Sequence, residues 1–142
     1  MQTVTRFITL LSLSFLFFGT AHATEKTPES VDGTTKVTAE EVIDLIGEMD
    51  DIVIVDARKS SDRAKGWIED SIGLPNTDTT EASLAKIAPN KAGPIIFYCN
   101  GVKCGRSVES ARNALKWGYS KIYWFRGGMS EWEAKSLPVV RQ

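Results

Sequence analysis

Histidine is almost missing from this chain of 142 residues, where His22 is the one copy. Cysteine is scarce too, occurring as Cys99 and Cys104 and nowhere else. Two cysteines are too few for the disulfide framework of a small secreted domain. They are also too few for a structural zinc site, which takes roughly four Cys or His ligands. Charge of one sign is lacking as well. Lys and Arg number 17 against 18 Asp and Glu, for a formal net charge of −1. That balance gives no strongly basic face and excludes nucleic acid as an expected partner. No internal repeat, heptad pattern or low-complexity tract is visible. The length fits one domain, and a hydrophobic fraction of 42% is ordinary for a globular chain.

The hydrophobic residues are unevenly spread. A compact apolar block runs from Phe7 to Phe18, follows Arg6, and is closed by Ala21-His22-Ala23. A basic start, an apolar stretch of about 7–15 residues and a small-x-small end describe a secretory signal peptide. The block is short against the roughly 20 apolar residues that a spanning helix needs. Residues 1–23 are therefore expected to be a signal peptide, with export most simply to a periplasm and membrane contact only through targeting. His22 would leave with it. The expected mature chain then has no imidazole for a Cys-His dyad, a Ser-His-Asp triad or a metal site, and no metal or cofactor is implied. Catalysis would have to use cysteine, backbone dipoles, Arg, Lys, Ser or carboxylates.

Residues 24–36 are polar, with Pro28 and Gly33, and read as a flexible leader to a domain over 37–142. Thr38 and Glu41 form a capping box ahead of Val42, Leu45, Ile46 and Met49, which recur at helical spacing. Ile52-Val53-Ile54-Val55 is a continuous β-branched run, as in a strand buried on both faces. Ser60 to Arg63 offers a short helix, Ser71 to Pro75 a short strand, and Thr80 another helix start. Ile95–Tyr98 reads as the next strand. A helix containing Val108, Ala111 and Leu115 then ends at Gly118. Ile122–Phe125 is a further strand, and Gly127-Gly128 turns into a last helix with Trp132. Strands alternating with helices predict an α/β domain, a central mostly parallel sheet flanked by helices on both faces. In such sheets ligands bind at the carboxyl ends of the strands, where Asp56-Ala57-Arg58, the cysteine loop and Arg126-Gly127-Gly128 would all lie.

The segment Tyr98-Cys99-Asn100-Gly101-Val102-Lys103-Cys104-Gly105-Arg106-Ser107 carries the chemistry. A strand ends in a cysteine, a loop with glycines and cations follows, and a helix begins near Ser107. Loop amides and the positive end of a helix dipole favour an anion there. They also favour a thiolate, and so a nucleophile at neutral pH. Cys99, at the rigid strand end, is the expected nucleophile. Cys104, nearer Arg106 and the helix, is the second thiol and the alternative one. Arg106 offers a planar, two-pronged donor to an oxyanion, and Lys103 a mobile point charge. Gly101 and Gly105 are expected to permit backbone angles closed to other residues, and Ser107 to cap the helix and complete the anion-binding loop. Asp56 and Arg58 are expected to brace the strand-end loops. Trp67, Trp124 and Trp132 read as packing residues.

Taken together these residues resemble a single-domain rhodanese of the thiosulfate sulfurtransferase family, over about Val37 to Val139. Asp56-Ala57-Arg58 is similar to the family's Asp-x-Arg. Gly66-Trp67-Ile68 through Leu74-Pro75 is similar to its Gly-His-Ile…Pro element, with Trp67 where histidine is usual. Tyr98-Cys99 with Gly, Arg106 and Ser107 resembles its active-site loop. Gly127-Gly128-Met129, Trp132 and Leu137-Pro138-Val139 resemble its closing signature. The resemblance implies a rhodanese-like three-layer domain and a cysteine persulfide. The sulfur would come from thiosulfate or a related small sulfur-containing anion and pass to a thiol or cyanide.

One departure stands out. The family commonly shows Cys-x4-Arg, and related phosphatases and arsenate reductases Cys-x5-Arg, whereas six residues separate Cys99 from Arg106 here. A phosphatase or arsenate reductase is therefore one alternative. An exported thiol–disulfide or sulfur-binding module, with a redox protein as partner, is the other. Cys99 and Cys104 would pair if the loop brings their Cα atoms within about 7 Å.

Overall fold

The computed structural model describes residues 27–142. The expected signal peptide, with His22, lies outside the described residues. The chain runs β1 (Thr34–Val37), α1 (Ala39–Glu48), β2 (Val53–Asp56), α2 (Ser60–Arg63), β3 (Ile72–Gly73), a 3-10 turn (Asn76–Asp78), α3 (Glu81–Ile87), β4 (Pro94–Tyr98), α4 (Arg106–Lys116), β5 (Lys121–Phe125) and α5 (Gly128–Ala134). The strands form one sheet in the order β1-β5-β4-β2-β3, and every pairing is parallel.

Alternation along the central strands explains the three layers. Ile96 and Tyr98 of β4 face α1 and α5, in a cluster with Ile54, Phe125, Val42, Met129 and Trp132. Ile95 and Phe97 face the other side, packed with Val55, Leu84, Ala111, Ala114 and Ile122 under α3 and α4. All five residues of β4 are buried, as expected for a parallel strand covered on both faces. The helix ends follow local chemistry. Thr38 and Glu41 make both hydrogen bonds of the capping box on α1. Thr80 and Ser83 do the same on α3. Gly118 takes φ +91° just past α4, the left-handed turn that favours glycine.

The leader assigned to residues 24–36 is corrected at its C-terminal end. Thr34–Val37 is an edge strand paired with β5 from Thr34↔Ile122 to Val37↔Phe125, and Val31 is buried against Val108 and Trp124. The strand escaped the sequence reading because only Val37 of its four residues is buried. An edge strand with one inward side chain carries no hydrophobic period.

In register, Asp56 pairs with Tyr98 and Tyr98 with Phe125, so the loops after β2, β4 and β5 leave the same edge of the sheet. A buried polar network fixes that edge. The Asp56 carboxylate, fully buried, accepts from Arg58 N–H (3.1 Å), Arg58 Nε (2.9 Å) and Arg58 Nη2 (2.7 Å). It also accepts from Arg63 Nη1 (3.0 Å) and the Tyr98 hydroxyl (2.9 Å). Arg58 Nη2 donates on to the Gly66 carbonyl, and Arg63 donates to both the hydroxyl and the carbonyl of Ser71. The Arg63 guanidinium also lies 4.8 Å over the Trp67 ring. Burial disfavours charge on Arg58, but the Asp56 hydrogen bonds and charge outweigh it and hold the guanidinium above its ordinary pKa. Burial, reinforced by the Asp56 charge, pushes the Tyr98 phenol from 10.0 up to about 12.

Removing Asp56 would leave the buried Arg58 and the partly exposed Arg63 without their carboxylate. Asp56→Ala is expected to cost about 3–5 kcal/mol in urea unfolding, against about 1–2 kcal/mol for Tyr98→Phe. The native state keeps the Tyr98 proton where the unfolded chain loses it. That contribution is whole below pH 10 and disappears as the pH rises towards about 12. Tyr98→Phe should therefore flatten the alkaline fall in stability, and an unchanged slope would contradict the buried phenol.

Candidate active site around Cys99 and Cys104

Cys99 is the first residue after β4, directly behind Tyr98, and is 1% exposed. Its carbonyl accepts from Met129 N–H at 3.0 Å. The next carbonyl, of Asn100, accepts from Ser130 N–H (2.8 Å) and from the Ser130 hydroxyl (2.7 Å). The first turn of α5 thus clamps the start of the cysteine loop by its backbone. The Asn100 side chain donates to Asp62 at 3.0 Å, which ties the loop to α2. That bond, with Lys65 and Arg106 nearby, lowers the pKa of Asp62. The chain then turns back, Cys104 N–H donating to the Gly101 carbonyl at 2.9 Å. Cys99 and Cys104 are joined by a disulfide, with Cα atoms 6.1 Å apart.

The two cysteines have different surroundings. Cys104 is half-buried and lines an open depression of about 1220 Å³ with Lys59, Asn76, Lys103 and Arg106. Cys99 lies beneath it. Arg106, the first residue of α4, places Nη1 3.7 Å from Cys104 Sγ, and Lys103 is exposed. No side chain caps α4, and Glu109 lies in its first turn. Glu109, on the same rim, is engaged by Asn76 at 2.6 Å.

Two expectations for this loop are corrected. Gly105, not Ser107, is the cap residue of α4. Ser107 is 2% exposed and its hydroxyl accepts from the Trp124 indole at 3.0 Å, so it serves the core beneath α4 and not the depression. A serine at the start of a helix looks like a cap in sequence, and its buried partner, Trp124 of β5, is 17 residues away. Nor do Gly101 and Gly105 hold unusual angles, since neither has a positive φ. Gly101 is needed for space, because a Cβ there would meet Ser130 Oγ at 2.9 Å, while Gly105 has nothing within 4 Å. The strained position is Gly128, at φ +52°, where a Cβ would run into the Cys99 carbonyl.

Asp56 and Arg58 lie behind the loop, as the buried ion pair. Trp124 and Trp132 are buried, and Trp67 sits half-buried under Arg63. Asn100, Asp62, Lys59 and Ser130 were not singled out from the sequence. The contacts of Asn100 with Asp62 and Ser130 join segments 30 or more residues apart, and Lys59 is known only from its place on the depression.

Gly128→Ala should force the cysteine loop off α5. The expected loss is about 1–3 kcal/mol for the backbone angle alone, seen as a lowered urea midpoint. The reduced cysteines should also react faster with an exposed-thiol reagent. A midpoint and reactivity equal to wild type would show that α5 does not fix Cys99.

Comparison with known proteins agrees with this geometry. A family model described as the rhodanese-like domain matches residues 38–135. The Escherichia coli K12 protein YibN, itself described as uncharacterized, is 29% identical over 106 residues, covering 74% of this chain and 71% of its own. An Allochromatium vinosum protein named a sulfurtransferase is 24% identical over 105 residues, covering 74% of this chain and 94% of its own. The solution structure of the polysulfide-sulfur transferase homodimer from Wolinella succinogenes superposes with a TM-score of 0.64 at 20% identity, over 78% of this chain and 80% of that one. With the match running from the cap of α1 to just beyond α5, this chain belongs to the family of rhodanese-like domains.

Proposed function

We propose that the chain is a sulfurtransferase in which Cys99 carries a sulfane sulfur. The reduced Cys99 thiolate attacks the outer sulfur of thiosulfate or a related persulfide donor, sulfite or the donor thiol departs, and a persulfide remains. A thiol or cyanide then removes the sulfur. The observation that carries this reading is the seat of Cys99, at the end of the central strand and clamped by α5 through its own carbonyl. A nucleophile fixed to rigid elements is held in productive geometry. Arg106, Lys103 and the uncapped start of α4 supply positive potential for an anionic donor. A thiolate already formed needs no general base. The name of the Allochromatium relative supports sulfur transfer as the reaction class.

The apolar N-terminal block supports an exported protein, working most simply in a periplasm. The disulfide supports a second reading, an exported thiol–disulfide module that cycles Cys99 and Cys104 with a redox protein partner. A phosphatase or arsenate reductase is disfavoured by the loop length, since six residues separate Cys99 from Arg106 where that class carries Cys-x5-Arg.

Thiocyanate formation from thiosulfate and excess cyanide, with a dithiol present to keep the pair reduced, separates these readings. Sulfur transfer is expected in wild type and is expected to vanish in Cys99→Ser. In Arg106→Ala it should fall about tenfold or more in kcat/KM, as for the loss of a charged hydrogen bond. No turnover with thiosulfate or polysulfide, alongside rapid thiol–disulfide exchange, would instead establish the redox module.

A further inference from the structure

We propose that Cys104 resolves the Cys99 persulfide within the chain, expelling its outer sulfur as hydrosulfide, so that with a dithiol reductant the site reduces thiosulfate to sulfite and sulfide. This rests on the sulfurtransferase reading of Cys99 and assigns the fate of its sulfur. The Cys104 thiolate attacks Cys99 Sγ, the S–S bond of the persulfide breaks, and the outer sulfur leaves as HS⁻. The product on the protein is the Cys99–Cys104 disulfide, the state this structure holds. Electrons balance, since the sulfane sulfur gains two as it becomes sulfide and the two cysteine sulfurs lose one each. A dithiol then returns the pair to thiols and becomes a disulfide itself.

Three observations carry the proposal. The loop folds back through the Cys104 N–H to Gly101 carbonyl bond, bringing the second sulfur to the first with no change in the strand that holds Cys99. The Arg106 guanidinium stands 3.7 Å from Cys104 Sγ, and a neighbouring cation favours the thiolate that attack requires. The extra length of the loop also acquires a use, since residues 100–103 form the span between the two sulfurs.

Access gives the cycle a direction. Cys104 lines the open depression whereas Cys99 is 1% exposed. Thiol attack on a disulfide depends on which sulfur can be reached. The reductant therefore enters at Cys104, forms its mixed disulfide there, and frees Cys99 as the thiolate for the next donor.

The test is an anaerobic single turnover of the purified chain, reduced and then freed of reductant, with thiosulfate in excess. Sulfide is measured alongside the intact mass. Wild type is expected to release about one equivalent of sulfide with no added thiol. It should end about 2 Da lighter than the reduced chain, as the disulfide. Cys104→Ser is expected to stop at a persulfide about 32 Da heavier and to release sulfide only when dithiothreitol is added. A lasting persulfide on wild type, or equal sulfide release from Cys104→Ser, would overturn resolution by Cys104 while leaving sulfur transfer intact. No persulfide and no sulfide from either protein would overturn the sulfurtransferase reading, and this proposal with it. As a check on direction, the oxidised wild-type chain mixed with a thioredoxin-type protein that keeps only its attacking cysteine, then alkylated at once, should yield a mixed disulfide at Cys104 and an alkylated Cys99. Failure to trap it would overturn entry of the reductant at that sulfur.

Discussion

The buried Asp56 carboxylate is the constraint on which the geometry of the site depends. Its two oxygens accept hydrogen bonds from Arg58, Arg63 and Tyr98, so one residue ties the end of β2 to α2 and to the last residue of β4. Tyr98 immediately precedes Cys99. The same hydroxyl contacts Ser71, which brings in the segment leading to β3. A buried carboxylate with this many donors is a weak source of net stability but a strong source of specificity, because any other arrangement strands a charge. The network touches no sulfur. It sets where the sulfur stands.

From that fixed edge the loop is held unequally at its two ends. At the Cys99 end, backbone bonds from α5 and a side-chain bond to Asp62 define the conformation. At the Cys104 end, the contacts are one turn hydrogen bond and the Arg106 guanidinium. A fixed nucleophile and a more accessible partner suit chemistry in which one thiol must stay in register while the other reaches towards it or away. Gly128 makes this possible, since only a residue without Cβ lets α5 come so close to the Cys99 carbonyl.

Much of this was legible in the sequence, and for identifiable reasons. The β-branched run ending at Val55, the capping box at Thr38, the helix start at Thr80 and the glycine at 118 are local signals, and local signals survive folding. Cys99 at a strand end is local too. The partners of the loop were not legible, because Asn100 with Asp62 and Ser130 with Asn100 join distant segments. β1 was missed for a different reason, having a single buried side chain. Ser107 was misread because a hydroxyl at a helix start serves a cap or a buried indole equally well, and only the position of Trp124 decides between them.

The central claim, that Cys99 itself receives the sulfur, is open to one direct measurement. Lys91, Lys103 and Arg106 let trypsin separate the two cysteines into the peptides Ala92–Lys103 and Cys104–Arg106. The reduced chain is mixed briefly with thiosulfate labelled in its outer sulfur, alkylated at once, digested and analysed by mass spectrometry. The expected result is label bound to Cys99 in Ala92–Lys103. Label on Cys104, or no label on Ala92–Lys103 even in Cys104→Ser, where no second thiol can expel it, would contradict it.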